Sequence, residues 1–251
     1  MSRMPLTRRR PVMSIVAGAA LVAISGVASS APWRIPIALE LVLAADVSSS
    51  ISDEEYRLQM AGLAAAFRDP AVVSAIRSTG RDGIAVTLVQ WSGFGNRSQV
   101  IGWTRVRDMR TADLFAREIE TTPRLYHNSG TGIGRAIRFS ANLIAANRFA
   151  GRRRIIDISG DGKNNEAPSP SLVRDMAAAR NITINGLAVL DGDPTLVTYY
   201  RDKIIGGSAA FVVAAETFGD FAEAVRLKLL REIAPPIATA PQAIEAPRKN
   251  S

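Results

Sequence analysis

Cysteine is absent from the 251-residue chain, and histidine occurs once, at His127. The lack of cysteine excludes disulfide bonds, thiolate metal sites and cysteine catalysis. A Ser-His-Asp hydrolase would have to use the single histidine, and the Gly-x-Ser-x-Gly elbow of such enzymes does not occur. Hydrophobic residues make up 47% of the chain and charged residues 22%. This composition is typical of a globular protein with one large domain.

The first 31 residues have the pattern of a secretory signal peptide. Four arginines precede an uncharged apolar stretch at residues 12–28, and small residues follow it. A retained membrane anchor is the alternative, but the stretch is at the short end of the range for a spanning helix. We therefore expect cleavage near Ala28 or Ala31, which would release a periplasmic or secreted protein with no membrane span.

Loss of this leader also changes the charge. Residues 1–31 hold four arginines and no acid, so their removal lowers the formal charge from +8 to +4. The densest remaining basic run, at residues 152–154, contains no aromatic residue on which bases could stack. Nucleic-acid binding favours a concentrated basic surface with aromatics. The sequence therefore predicts no nucleic-acid partner.

One α/β domain is predicted at residues 35–234, followed by a Pro/Ala-rich tail. Four prolines and few large apolar residues in 235–251 predict a disordered segment. Within the domain, strands are predicted at 37–45, 83–91, 99–106, 154–159, 182–189 and 209–214. Helices are predicted from residue 52 and at 111–120, 131–147, 169–180, 194–205 and 218–233.

The alternation of strands and helices predicts a doubly wound, mostly parallel six-stranded sheet with helices on both faces, as in Rossmann-like folds. The link between the second and third strands, residues 93–96, is too short for a crossover. The third strand must therefore be antiparallel to the second and form one edge of the sheet.

The segment after the first strand reads Asp-Val-Ser-Ser-Ser-Ile-Ser. An aspartate followed by serines often caps a helix and needs no other role. The spacing of Asp46, Ser48 and Ser50 also lets several oxygens converge on one point beyond the carboxyl end of the strand, where ligands bind in such sheets. Ser52 can cap the helix while the other three residues face a site.

Two further loops bring oxygen groups to the same edge of the sheet. Thr131 lies at the start of the helix that precedes the fourth strand, and Asp161 follows that strand between two glycines. Hydroxyl and carboxylate oxygens, without histidine or cysteine, suit a hard octahedral cation such as magnesium or manganese. The sequence therefore predicts one metal site.

These three segments resemble the metal-ion-dependent adhesion site (MIDAS) of the von Willebrand factor A (VWA) domain. The D-x-S-x-S after the first strand, Gly130-Thr131 and Asp161-Gly162 occur in the family's order, and the resemblance covers residues 37–233. The pattern also resembles an uncharacterised group of exported bacterial proteins with this fold. Gly160 departs from the family, which more often has Thr or Ser there.

The resemblance implies a role for each residue. Ser48 and Ser50 would be direct ligands, and Thr131 would ligate directly in a high-affinity state. Asp46 and Asp161 would act mainly through bound waters. The ion would be Mg²⁺, with Mn²⁺ and Ca²⁺ as alternatives.

The family also implies a partner. An Asp or Glu carboxylate of a protein partner would complete the coordination shell. The function implied is an exported binding module and not an enzyme, and a metal-dependent hydrolase that uses the same site is the alternative.

Three other polar residues need an interpretation. Tyr126 and His127, just before Thr131, are predicted to lie on the rim and contact the partner. Asp157 is flanked by isoleucines, so it must be paired if it is buried. It is expected either to face a polar pocket or to pair with Arg154 or a helix arginine.

Overall fold

Strand β1, Ile35–Asp46, lies inside the sheet and is buried on both faces. In the computed structural model, which describes residues 33–127, 129–234 and 243–245, its Val/Leu/Ala side chains alternate between two hydrophobic cores. Glu40 is the one charged residue inside β1, which ends at Asp46. Its carboxylate accepts hydrogen bonds from Gly151 N and from the Asn147 side chain, both at 2.6 Å. The polar interruption in the apolar run is therefore satisfied.

The strands of the described residues form one sheet in the order β3-β2-β1-β4-β5-β6-β7. The first six are the strands expected from the sequence: β1, β2 (Ile84–Trp91), β3 (Arg97–Val106), β4 (Phe149–Gly160), β5 (Thr183–Val189) and β6 (Val212–Ala215). They pair in parallel except for the edge strand β3, which is antiparallel to β2. The predicted fold class is therefore confirmed. The three-residue strand β7, Ala243–Glu245, pairs in parallel with β6.

Helices cover both faces of the sheet. Four of them pack on one face, namely α1 (Asp53–Arg68), α2 (Pro70–Ser78), α3 (Met109–Thr121) and α7 (Phe221–Ile233). The other face is covered by α4 (Ile133–Ala146), α5 (Pro170–Ala178) and α6 (Thr195–Tyr199). Since both faces are buried, the strands read as continuous apolar runs.

Several boundaries differ from the sequence prediction. Helix α2 was not predicted; it begins because the Asp69 carboxylate accepts from Ala71 N and Val72 N, with Pro70 in the first turn. The helix predicted at 194–205 is divided into two elements. The α-helix α6 ends at Tyr199, and a π-helical turn, Tyr200–Ile204, follows it directly.

The beginning and end of the chain are only partly described. The predicted leader, up to residue 31, lies outside the described residues, and so does the tail except for β7. In the part of the chain that the structure describes, no helix is both long and apolar enough to cross a membrane.

Candidate metal site

The loop after β1 folds around the carboxylate of Asp46. Its Oδ1 accepts a hydrogen bond of 2.8 Å from Ser48 N, and both residues are buried. The Oγ atoms of Ser48 and Ser50 are 3.2 Å apart. Ser52 caps α1 through a reciprocal pair of hydrogen bonds with Glu55. The prediction that Ser52 forms the cap is confirmed, so Ser48 and Ser50 are not needed for it.

The loop after β4 brings a second carboxylate to the first. Ala45 of β1 lies opposite Ser159 of β4, so the carboxyl ends of the two parallel strands coincide. Ser50 Oγ donates a hydrogen bond of 2.8 Å to Oδ1 of Asp161. Asp161 is half-buried and Asp46 has no exposed surface, so the two acids lie at different depths of one cleft.

Thr131 joins this group from the loop before α4. Asn165, in the loop after β4, accepts from Thr131 N at 2.9 Å and donates its own backbone N–H to Thr131 O at 3.1 Å. A Cβ on Gly162 would lie 3.7 Å from Thr131 Oγ1, which places this hydroxyl beside the Asp161 loop. Ser49 N also donates to Ser129 O at 3.0 Å and ties the first loop to the second.

The two carboxylates lie in an environment that disfavours negative charge. Burial, followed by the charge of Asp161, raises the pKa of Asp46 to about 8. The hydrogen bond from Ser48 N and the charge of Arg124 oppose this shift. Burial also raises the pKa of Asp161, against the hydrogen bond from Ser50. A cation between the two acids would supply the positive charge that both lack.

The oxygen set fits a hard divalent cation. Oδ2 of Asp46 is buried and accepts no hydrogen bond from the described residues. The cluster combines two carboxylates with the hydroxyls of Ser48, Ser50 and Thr131, and nowhere in the described ranges do three acidic or histidine side chains form a metal-binding group. Oxygen ligands with few charges suit Mg²⁺, which keeps part of its water shell.

The two predicted rim residues lie in the segment before Thr131. The hydroxyl of Tyr126 is 2.7 Å from Ser98 Oγ on β3, and its ring packs against the core. His127 is exposed, and its Nδ1 lies 3.5 Å from the carboxylate of Asp53. His127 is therefore accessible on this edge, whereas the hydroxyl of Tyr126 is bonded to the edge strand.

Arg124 organises the first loop, and the sequence analysis did not identify it. Its Nη2 donates to the carbonyls of Ser48, at 3.1 Å, and Ile51, at 2.6 Å, and its Nη1 pairs with Asp53 at 2.8 Å. Only 6% of its side chain is exposed. No local pattern reveals such a role, because Arg124 lies more than 70 residues from the loop that it supports.

Asp157 is buried and paired, but its partner is a lysine and not one of the arginines considered from the sequence. Its carboxylate lies 2.5 Å from Nζ of Lys228 on α7. Lys228 also contacts Glu232 Oε1 at 2.6 Å, and Asn185 donates to the same oxygen at 2.8 Å. All four side chains are buried. This charged cluster lies between the sheet and α7, and it was missed because a lysine in an amphipathic helix is normally exposed.

The doubly wound sheet, with three oxygen-bearing loops at one edge, has a VWA-like fold. Solved structures show the same fold. Proximal thread matrix protein 1 from the mussel byssus matches at a TM-score of 0.58 and 16% identity over 79% of this chain and 49% of that one. The same mussel protein has been solved with a zinc-occupied MIDAS motif. That structure matches at a TM-score of 0.58 and 14% identity over 79% of this chain and 48% of that one.

Bacterial structures match as well. The VWA protein from Catenulispora acidiphila has a TM-score of 0.52 and 17% identity over 78% of this chain and 43% of that one. The vWF domain of the type V pili tip protein Mfa5 from Porphyromonas gingivalis has a TM-score of 0.56 and 11% identity. The match covers 81% of this chain and 98% of that one. The chain thus spans about half the length of the mussel and Catenulispora proteins, and these identities show the fold alone.

The sequence gives the family. The model of the family described as "Protein of unknown function (DUF1194)" matches residues 36–237, and the chain belongs to this family. A search of curated protein sequences finds no match.

Proposed function

We propose that this domain binds one divalent cation at the carboxyl edge of its sheet and recognises a protein partner through it. The observation that carries the proposal is the convergence of two acids and three hydroxyls from loops far apart in sequence. They surround a buried carboxylate oxygen of Asp46 that accepts no hydrogen bond from the residues that the structure describes. Ser48, Ser50 and Thr131 would bind the ion through their hydroxyls. Asp46 and Asp161 would bind mainly through waters. The mussel protein with zinc in its MIDAS motif supports a cation in this position.

A carboxylate of the partner fits this chemistry. A cation surrounded by hydroxyls keeps more of its positive charge than one that is neutralised by three or four acids. It therefore attracts an anionic oxygen from outside the domain. Ser50 is exposed at the cleft, so the ion would be reachable from solvent. The partner would supply an Asp or Glu side chain, and magnesium is the expected ion, with manganese and calcium to be compared.

Thermal denaturation tests the cation site. A cation that binds only the folded state at 100 times its Kd adds about 2.7 kcal/mol and should raise the Tm by about 5–10 °C in a domain of this size. The double variant Ser48→Ala, Ser50→Ala should keep the apo Tm and lose the rise. The matched control is Ser169→Ala, Ser171→Ala, which removes another pair of neighbouring hydroxyls, 2.9 Å apart. A full rise in the Ser48/Ser50 variant would refute the proposed ligands.

Export is proposed from the leader pattern alone. Four arginines, an uncharged apolar stretch and small residues at its end are the features of a cleavable secretory signal peptide. The mature protein would then be periplasmic or secreted. Mass spectrometry of protein from its native host should find an N-terminus between Ala28 and Trp33, and an intact Met1 in the cytoplasm would refute export.

The hydrolase alternative makes a different demand on the site. It needs a general base near the cation, and the exposed His127 instead lies 3.5 Å from the carboxylate of Asp53, at the start of α1. Assays with ester and phosphoester substrates, with and without magnesium, distinguish the two functions. Turnover that Asp46→Ala abolishes would favour the enzyme.

A further inference from the structure

Tyr200 lies directly beneath the candidate metal site, although it is on a different part of the chain. It is the first residue of the π-helical turn after α6, and it is completely buried. Gly186 on β5 leaves room for its ring, since a Cβ there would be 2.7 Å from Tyr200 Cδ1. At the end of β4, a Cβ on Gly160 would be 3.0 Å from the Tyr200 hydroxyl. The ring therefore crosses two strands and its hydroxyl reaches the site.

The same point beside Gly160 is also close to Asp46. A Cβ on Gly160 would lie 2.8 Å from Oδ2 of Asp46. Neither this oxygen nor the Tyr200 hydroxyl has a hydrogen-bond partner among the residues that the structure describes, and both are buried. Buried polar groups are nearly always paired, so a donor and an acceptor that flank one small space are natural partners.

The glycine at 160 and the tyrosine at 200 thus depend on each other. Any side chain at position 160 would collide with both the Asp46 carboxylate and the Tyr200 hydroxyl. A Ser or Thr at position 160 could have supplied a hydroxyl to the site from β4, but this chain has a glycine there. The nearby hydroxyl is instead that of Tyr200, on the π-helical turn. π-Helical turns are frequent at functional sites because they change the direction of side chains within a helix.

The preceding residue, Tyr199 at the end of α6, also contacts the site. The hydroxyl of Tyr199 accepts a hydrogen bond of 3.1 Å from Asn164 N, in the loop that follows Asp161. The two tyrosines therefore reach different parts of the site. Tyr199 holds the Asp161 loop from outside, and Tyr200 approaches Asp46 from the core.

We propose that Tyr200 is a positioning residue of the metal site, whose hydroxyl donates a hydrogen bond to Oδ2 of Asp46, directly or through one water. The carboxylate would then be fixed by two donors, with Ser48 N on Oδ1 and Tyr200 on Oδ2. Groups that orient a metal-associated carboxylate influence metal affinity without touching the ion. The effect on the cation rests on the proposed function, whereas the hydrogen bond itself does not.

The first test concerns the cation. Tyr200→Phe keeps the ring and should fold, but it should weaken magnesium or manganese binding by about 10- to 100-fold, as is typical for the loss of such a supporting group. The matched control is Tyr56→Phe. It removes a buried hydroxyl that bonds to Thr122 O and to Gln90, away from the site, and should leave cation affinity unchanged. Wild-type affinity in Tyr200→Phe would overturn the proposal.

The second test needs no metal. In chelator, the denaturation midpoints of Tyr200→Phe, Asp46→Asn and the double variant form a thermodynamic cycle. A hydrogen bond between the two side chains makes the midpoint shifts non-additive, and additive shifts would overturn it. Non-additive shifts in a protein that binds no cation would refute the proposed function and leave the hydrogen bond standing.

A substitution at Gly160 tests where the hydroxyl lies. Gly160→Ser should lower the denaturation midpoint in the wild-type protein, because its Cβ meets the Tyr200 hydroxyl. The same change should lower the denaturation midpoint less in the Tyr200→Phe background. An equal loss in both backgrounds would contradict the shared space beside Gly160.

Discussion

Ser50 Oγ lies 2.8 Å from Oδ1 of Asp161, although the two residues are 111 positions apart in the chain. This contact joins the loop after β1 to the loop after β4, and it exists because those strands are parallel neighbours. It also places a neutral hydroxyl against a carboxylate whose pKa is raised by burial.

The stability of the cation-free protein should depend on the protonation of Asp46. Because its pKa is about 8 in the folded state and 3.8 ordinarily, the folded protein holds a proton that the unfolded chain releases near pH 4. The free energy of unfolding should therefore fall as the pH rises from about 4 to about 8. Urea denaturation in chelator, compared with Asp46→Asn, checks this, and parallel pH profiles for the two proteins would contradict it.

Cation affinity should change with pH in the opposite direction. The ion favours the ionised carboxylate, so binding must release the proton of Asp46. We expect the Kd for magnesium to decrease between about pH 6 and pH 8, the range in which that carboxyl ionises. Isothermal titration calorimetry in buffers of different ionisation enthalpy would detect the released proton. Binding that is independent of both pH and buffer would contradict this prediction.

Arg124→Gln should loosen the first loop. Hydrogen bonds from a charged donor contribute about 1.5–3 kcal/mol each, and this substitution removes those from Arg124 to the loop carbonyls of Val47, Ser48 and Ile51. We expect a loss of stability of that order and weaker cation binding. Arg124→Lys should not restore either, because lysine lacks the planar fork. The control is Arg117→Gln, in which an exposed arginine loses its bond to Asp113. Equal losses in the control would refute a specific role for Arg124.

Lys228→Met should destabilise the fold strongly. It leaves the buried carboxylates of Asp157 and Glu232 without their positive partner, and breaking a buried ion pair from one side costs about 3–5 kcal/mol. The matched control is Lys163→Met, which breaks an exposed pair with Asp193 worth at most about 1 kcal/mol. Urea denaturation measures both. Similar small losses would mean that the buried cluster contributes little.

Partner binding should require both the cation and an acidic side chain. Short peptides that contain Asp, each paired with an Asn version, can be passed over the immobilised domain by surface plasmon resonance with magnesium and with chelator. We expect only the acidic peptides to bind, only with magnesium, and more weakly to Thr131→Ala than to wild type. Binding that survives in chelator would show that this edge is not the interface.

Much of the fold could be predicted from the sequence. The apolar runs of β1 and β2 are continuous because both faces of a parallel sheet are buried, and the short link after Trp91 allows only an antiparallel return. The motif residues Asp46, Ser48 and Ser50 were visible because they lie two positions apart in one short segment at the end of β1. Thr131 and Asp161 could be added because carboxyl ends of parallel strands meet at one edge.

The contacts that support this edge were decided by the tertiary structure alone. Arg124 beneath the first loop, Lys228 beside Asp157 and Tyr200 below Asp46 each come from a distant segment whose local pattern reads as an ordinary loop or helix. Local sequence determines the period of apolar residues, and hence which elements form. The choice of partner for a buried polar atom depends on which side chains the packed elements bring within about 3 Å of it.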